Sequence, residues 1–541
     1  MQIRIPGFVT VIAVATVGAS SAGLVSACAT TQPVDADSLG RLRGSAPGTY
    51  LSGKPLGLDA PEVVNRRDFA WAIDFDDTSQ TLAFVHHVST DMELTVTGIS
   101  PLAPVFQEKL NKSEFDNEDV VIDGDRILVP SRQGVLRAVD RATGRLLTEV
   151  TLGEPLLRVA VSGDRVFAAS ADGRVMAFDR SLGFIGESVL HKDEVRGLVA
   201  LGGNRVMTAS MDGTLVISHT APAERPLVRL PTSALASGDQ VFLSHLDGRR
   251  AIATIRDARQ PSTVISRAAV KRLELPGTDD GQLLTVMTAE GPQELPAVSL
   301  GELRLRSLSA GALMAAVCDS CVPAGAELVL GADLLARVSL VEDVAAGELV
   351  ARPVDGAQGV AMTPGAVMFV VEQTSTLPGP ANDLDASHGR ALVTFSQDKA
   401  ERSFDIHDHE RKGSFPPPSA TSGAALVDVV TGAIGQRYVS QHLGFTVTGA
   451  LSPDGKTVVT GGWDRRILVW DAETGEVVTE RSFAWLVRRV RFSPDGHLLG
   501  VAAWTPVNAL NEGDSEPSVV LYPVALATAT LVTPSTTTPG P

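Results

Sequence analysis

The stretch from His442 to Asp471, HLGFTVTGALSPDGKTVVTGGWDRRILVWD, constrains the fold of this chain more than any other segment. Three strand-period runs, FTVTGALS, TVVTGG and ILVWD, are separated by polar turns at Pro453-Asp454-Gly455 and Asp464-Arg465-Arg466. A further turn, Ala472-Glu473-Thr474-Gly475, leads into EVVTE. β-Branched and apolar residues fit a half-buried pleated surface, and the Pro, Asp and Gly between them reverse the chain, so the stretch reads as one complete four-stranded unit. Weaker copies of its inner hairpin occur upstream as DRILVPSRQGVLRAVDRATG, DRVFAASADGRVMAFDRSLG and NRVMTASMDGTLVISH. Their turn residues Gln133, Asp172 and Asp212 lie about 40 residues apart, so the chain carries an internal repeat.

The calibrating stretch resembles a WD repeat. In that family a His, a Ser or Thr, a turn Asp and a Trp make a hydrogen-bonded row across each blade. The resemblance puts His442, Thr460, Asp464 and Trp470 in those places. The third upstream copy keeps His191, Thr208 and Asp212 but has Ser218 where the Trp would stand. Further units are expected at about Phe69 to Val105 and at RRVRFSPDGHLLGVAAW with SVVLYPVA. One more is split, as GRALVTFSQD and AALVDVVTGAIGQRYV, around a loop from Lys399 to Gly423. The expected fold class is mostly β, an about seven-bladed β-propeller with an inserted β domain.

Ahead of the repeats, Arg4 precedes an apolar, small-residue run from Ile5 to Val25 ending in Val25-Ser26-Ala27-Cys28, the order of a secretory signal. Those last four residues resemble the lipobox of bacterial lipoproteins, which implies cleavage after Ala27 and a lipid on Cys28. The alternative is an ordinary signal cut near Ala27 with Cys28 incidental. Ala29, rather than Asp, after the Cys points by the same analogy to an outer membrane within a bacterial cell envelope. The expected organisation is a signal peptide over 1–27, a flexible tether over 28–60, a first propeller part of about four blades over 61–230, an insertion placed between two blades over 231–356, a second part of about three blades over 357–527 and a disordered tail over 528–541. With 46 Lys and Arg against 63 Asp and Glu, the net charge of −17 argues against nucleic acid as a partner.

The repeat stops near Leu230 and resumes near Ala357, and the sequence between them has a different grammar, with a helix expected at SRAAVKRLEL. This segment resembles the retropepsin-like aspartic proteases of bacteria through LDGRRAIATIRDARQPSTVISRAAVKRLEL, TVMTAEGPQELPAVSLGELRLRSL and LVLGADLLARVSLVEDVAAGELVARP. Counting back from Thr263-Val264-Ile265-Ser266 puts Asp257 at the catalytic aspartate, and Val329-Leu330-Gly331 matches the family's hydrophobic-hydrophobic-Gly. Where the family has Thr-Gly-Ala after the Asp, this chain has Ala258-Arg259-Gln260. Ala258 removes the hydroxyl that braces two such turns, and Arg259 sets a cation beside a carboxyl that must share a proton. Asp257 is therefore read as a turn residue in an inactive protease-like domain. The rival reading is a dimeric aspartic peptidase of the envelope using Asp257, with a peptide as substrate.

Cys318 and Cys321 in CDSC are the thiols left once Cys28 is lipidated, so a disulfide is expected in an exported chain; a redox pair or half a metal site are the alternatives. His407 and His409 in DIHDHERK read as a solvated loop, with metal binding as the alternative. No cofactor and no metal site are expected. The function expected is that of a membrane-anchored scaffold for a protein partner in the cell envelope.

Overall fold

In the computed structural model, the described residues are 50–65, 69–76, 80–88, 91–111, 117–223, 228–276, 281–396, 422–439, 441–483, 486–504 and 518–532. Cys28, His407, His409 and the whole expected signal peptide lie outside them. Almost every element is a strand, and only two short helices occur among the described residues, Arg267–Arg272 and Ala332–Leu335. The chain is a mostly β protein built as a propeller.

Six four-stranded antiparallel sheets and one five-stranded sheet recur along the described chain, each running from an inner to an outer strand. Their inner strands are Phe69–Phe75 in sheet 1, Val121–Asp123 in sheet 2, Leu156–Ser162 in sheet 3, Val195–Gly202 in sheet 4, Ala381–Ser387 in sheet 5, Thr446–Leu451 in sheet 6 and Leu486–Phe492 in sheet 7. Each inner strand touches the next, and the last touches the first, so the sheets close a ring. Separate apolar clusters fill the seams: Met176 and Phe178 with Leu128 and Leu136, Phe167 with Val206 and Phe369, and Trp470 with Leu426 and Tyr438. Burying each such side chain contributes about 1.5–3 kcal/mol, so repetition of the seam rather than any one blade supplies the stability.

Sheet 7 takes strands from both ends of the described chain. Tyr50–Leu58 pairs antiparallel with Val519–Val532 from Tyr50↔Val532 to Leu58↔Val524 and forms the outer strand. This corrects both expected ends: the tether does not reach residue 60, and the tail does not begin at 528. The strand YLSGKPLGL is broken by Gly53, Pro55 and Gly57, which hide its period, and its register slips twice where they fall. The neighbouring sheet anchors it, since Gly53 N–H donates to Asp454 Oδ2 at 3.0 Å and Arg481 Nη2 donates to the Leu58 carbonyl at 2.6 Å.

The intervening segment also departs from expectation, because it interrupts a blade rather than standing between two. Sheet 4 has three strands ahead of it, and its outer strand, Val367–Thr376, follows it. That strand pairs with Thr214–Pro222 from Thr214↔Thr376 to Pro222↔Val367. VMFVVEQTST carries no turn signature, and the connection lies on the circumference, where a long insertion costs little closure entropy. Within the segment, Val228–Pro231, Glu348–Pro353 and Val338–Asp343 form a three-stranded sheet, and a larger mixed sheet runs from Ser233 to Met362. Its core gathers Phe242, Ile252, Leu303, Leu308, Leu330 and Leu334.

Candidate functional site

The row across sheet 6 is complete. His442 Nε2 meets Thr460 Oγ1 at 2.8 Å, Trp470 Nε1 donates to the same oxygen at 2.9 Å, and His442 Nδ1 lies 3.0 Å from Asp464 Oδ1. Asp464 Oδ2 accepts the Leu443 N–H at 2.9 Å, so one carboxylate fixes the loop that enters the blade. Burial opposes ionisation of Asp464, but the bond from His442 and its charge, the Leu443 N–H and Arg466 together outweigh it, and the carboxyl sits below its ordinary range. In sheet 4, His191 Nε2 meets Thr208 Oγ1 at 2.7 Å, and the buried Ser218 hydroxyl has no partner where the Trp is missing. His442, Thr460, Asp464 and Trp470, like His191, Thr208 and Ser218, are buried within their blades.

The ring axis is closed by paired charges. Asp383 on sheet 5 receives Arg489 Nη1 at 2.5 Å, Arg491 Nη1 at 3.1 Å and the Thr448 hydroxyl at 2.7 Å. Burial alone would raise the Asp383 carboxyl, yet Arg489 and Arg491 hold it far below the usual carboxylate range. Arg158 donates to the Arg196 carbonyl at 2.6 Å, and Arg489 Nη2 donates to the Glu118 carbonyl at 2.9 Å. Sheets 2, 3, 4, 5, 6 and 7 are thereby stitched together at the centre. Gly197 is required in this layer, because a Cβ there would fall 2.3 Å from Leu384 Cβ.

Next to this plug, six of the seven inner strands carry a β-bulge. Register slips leave Trp71, Leu157, Arg196, Asn382, Val447 and Arg488 without a cross-strand partner. Five of them stand just before a residue of the plug layer (Arg158, Gly197, Asp383, Thr448 or Arg489), and Trp71 takes the same place before Ala72 on sheet 1, so the bulges line one mouth of the axis. Glu118, preceding the short inner strand of sheet 2, takes Arg132 Nη2 at 2.6 Å and Arg196 Nη1 at 2.8 Å, and Glu194 takes Arg196 Nη2 at 2.5 Å. Arg488 differs from those two guanidiniums. It lies over the Trp71 ring, 4.3 Å from the centroid, and among the described residues no hydrogen bond or ion pair holds it. Trp71, Arg196, Asn382, Val447 and Arg488 are all partly exposed.

Asp257 sits where strand Arg250–Arg256 ends. The strand Leu328–Leu330 runs parallel to it and antiparallel to Val264–Ile265, so it threads between the two strands that the Asp257 turn connects. Gly331 passes so near that turn that a Cβ would lie 2.4 Å from Ser262 C. Asp333 clamps the exit, accepting the Thr263 N–H at 3.0 Å and the Thr263 hydroxyl at 2.9 Å. The Asp257 carboxylate itself is engaged: Arg259 Nε reaches Oδ1 at 2.9 Å and Nη2 reaches Oδ2 at 3.0 Å. This fork of bonds, with the Arg259 charge, holds the Asp257 carboxyl below its usual range. Gln260, buried beside it, bonds both backbone groups of Met287 at 2.9 Å and ties the hairpin strand Leu283–Thr288 onto the turn.

Cys318 and Cys321 are joined by a disulfide with Cα atoms 5.4 Å apart. It shapes a short loop from which Asp319 Oδ1 accepts the Arg267 N–H at 2.7 Å, at the start of the helix that Ser266 caps. A buried ion network docks the segment on the propeller. Arg306 Nη2 lies 2.5 Å from Glu154 Oε1, Arg306 also bonds Glu187, and Arg174 pairs with Glu348. Among the described residues no group of three or more His, Cys, Asp or Glu is arranged to hold a metal ion.

Sequence reading missed both the bulge ring and the docking network. The available signal for the former was an Arg recurring near the start of apolar inner strands, as in LLRVAVS, VRGLVALG and LVRRVRF.

Comparison with known proteins agrees with the propeller. A family model described as outer membrane protein assembly factor BamB matches residues 103–219, and one described as WD domain, G-beta repeat, matches 436–471. Eukaryotic translation initiation factor 3 subunit I of Aspergillus terreus is 41% identical over 58 residues, 11% of this chain and 17% of that protein. The same subunit of Emericella nidulans is 42% identical over 57 residues, 10% of this chain and 17% of that protein. The chain thus spans less than a fifth of these relatives. Among solved structures, the U3-55K structure aligns with a TM-score of 0.45 at 10% identity, covering 86% of this chain and all of that one. The RRP9 WD40 repeats align at 0.44 and 9%, covering 88% of this chain and all of that one.

Proposed function

We propose that this chain is a lipid-anchored propeller of a bacterial cell envelope that serves as a binding scaffold for a protein partner, with an inactive aspartic-protease-like segment inserted in its fourth blade. The observation that carries the scaffold reading is the set of five partly exposed bulge residues around a plugged axis. It is a rigid, chemically mixed surface presented on strands rather than loops. The anchor rests on Val25-Ser26-Ala27-Cys28, and the outer membrane is the favoured location on the strength of Ala29.

For the inserted segment, the likeness to retropepsins is supported by the strand crossing at Asp257 and the tight passage of Gly331. Its lack of activity is supported by the Arg259 fork on the carboxylate and by a single Asp of this kind per chain. Such a carboxylate stays ionised and is satisfied, whereas proton-sharing chemistry needs an acid and a base in contact.

Crosslinking the lipidated chain in its own envelope and identifying attached proteins tests the scaffold reading. A defined partner lost when mouth residues are changed supports it. Pepstatin-sensitive cleavage of a peptide library that vanishes in Asp257→Asn would instead make the chain a peptidase.

A further inference from the structure

We infer that the mouth of the propeller axis binds an acidic side chain of an extended segment in the partner protein, with Arg488 as the carboxylate receptor and Trp71 as the platform that holds it. The inference rests on the scaffold reading above and specifies what the scaffold recognises.

The geometry makes Arg488 unlike its neighbours. Arg132 and Arg196 spend their charge on Glu118 and Glu194, and Arg489 and Arg491 spend theirs on Asp383. Arg488, between these two sets in position, is stacked on an indole and bonded to nothing among the described residues. A guanidinium fixed by its face keeps its five N–H groups directed outward in the ring plane, which is the pre-organised fork that takes a carboxylate through two parallel bonds. Burial above all, with Arg196, Arg489 and Arg132, pulls the Arg488 guanidinium down to about 10 despite the help of Glu118, and a carboxylate placed beside it would oppose that shift.

The rest of the ring selects a peptide over other anions. Trp71 offers apolar surface beside the cation, Val447 stands at the matching bulge of the adjoining sheet 6, and Asn382 offers an amide already oriented by Ser396 Oγ at 2.7 Å and the Thr446 carbonyl at 2.8 Å. One Asp or Glu flanked by an apolar residue matches this mixture. A nucleic acid would need many cations in a row, and the chain carries a charge of −17.

The test uses linear twelve-residue peptides displayed on phage and selected against the full chain, with affinities of the enriched peptides measured by fluorescence anisotropy. Enriched sequences should share an Asp or Glu beside an apolar residue. Their affinity should fall at least tenfold in Arg488→Ala and in a peptide whose acid is replaced by its amide, and by a smaller factor in Arg488→Lys, which keeps charge but loses the fork. If Arg488→Ala fails to fold, Trp71→Leu with Arg488 retained gives the same readout through loss of the platform. Enriched peptides that lack an acid, or that bind Arg488→Ala and Arg488→Lys as tightly as the parent, overturn the carboxylate assignment and leave the scaffold reading standing. Recovery of no peptide at all, together with no crosslinked protein in the envelope, overturns both.

Discussion

Thr460 Oγ1 accepts from Trp470 Nε1 at 2.9 Å while meeting His442 Nε2 at 2.8 Å, so one hydroxyl holds two aromatic side chains across three parts of a blade. Thr460→Val keeps shape and strand propensity but strands a buried indole N–H and an imidazole nitrogen. The expected loss is about 2–4 kcal/mol. Thr208→Val in sheet 4, where no Trp completes the row, should lose about 1–2 kcal/mol. Urea unfolding of the two variants decides it, and equal losses would show that the Trp bond adds nothing.

Asp257 and Arg259 set a second expectation. The Asp257 carboxyl is depressed in the folded chain, so its contribution is present above its unfolded value and disappears as pH falls through the lower, folded value. Arg259→Ala should raise the Asp257 value toward that of a free aspartate. Carboxyl carbon shifts followed by NMR would show it. An unchanged titration would mean that the fork does not govern the carboxylate.

Arg306 is the buried cation in the docking network, paired with buried Glu154 and half-buried Glu187. Arg306→Ala leaves Glu154 without that partner and Glu187 with Arg174 at 3.7 Å, at a cost of about 3–5 kcal/mol. Burial, with Glu187 adding to it and Arg306 opposing, already raises Glu154. A group raised on folding contributes stability below its unfolded value and loses it as pH rises, so the variant should be closer to the parent at pH 5 than at pH 8. Thermal unfolding and limited proteolysis at the two pH values measure this. A deficit that grows in acid would contradict it.

Because Pro222 and Val367 are register partners, the whole segment between them can be replaced by a tight turn of about four residues without separating sheet 4 from its outer strand. The product should be a cooperatively folding β protein by circular dichroism and calorimetry. Loss of β structure would mean that the segment is part of the propeller core.

The repeat was legible because its turns are chemically marked. Asp140, Asp428 and Asp471 each accept backbone N–H bonds two and three residues on, and a left-handed glycine follows each turn at 144, 432 and 475. Strands without such punctuation escaped notice: Tyr50–Leu58, interrupted by glycines and proline, and Val367–Thr376, whose partners lie 145 to 162 residues away in sequence, from Pro222↔Val367 to Thr214↔Thr376. The cation beside Asp257 was legible, because Arg259 lies two residues on in sequence and its side chain reaches the carboxylate. The bulge ring could not be read in advance, because a bulge is a property of register between two strands and leaves no composition of its own. Arg488 acquires meaning only beside Trp71, more than 400 residues earlier.

The pairing of Tyr50–Leu58 with Val519–Val532 sets an order of events in time. The first described strand must wait, unpaired, until Val519–Val532 has been made, so ring closure is the longest-range strand pairing among the described residues and a slow one to form. A chain interrupted before residue 519 lacks the partner of that first strand, and so leaves the ring open and its seams wet.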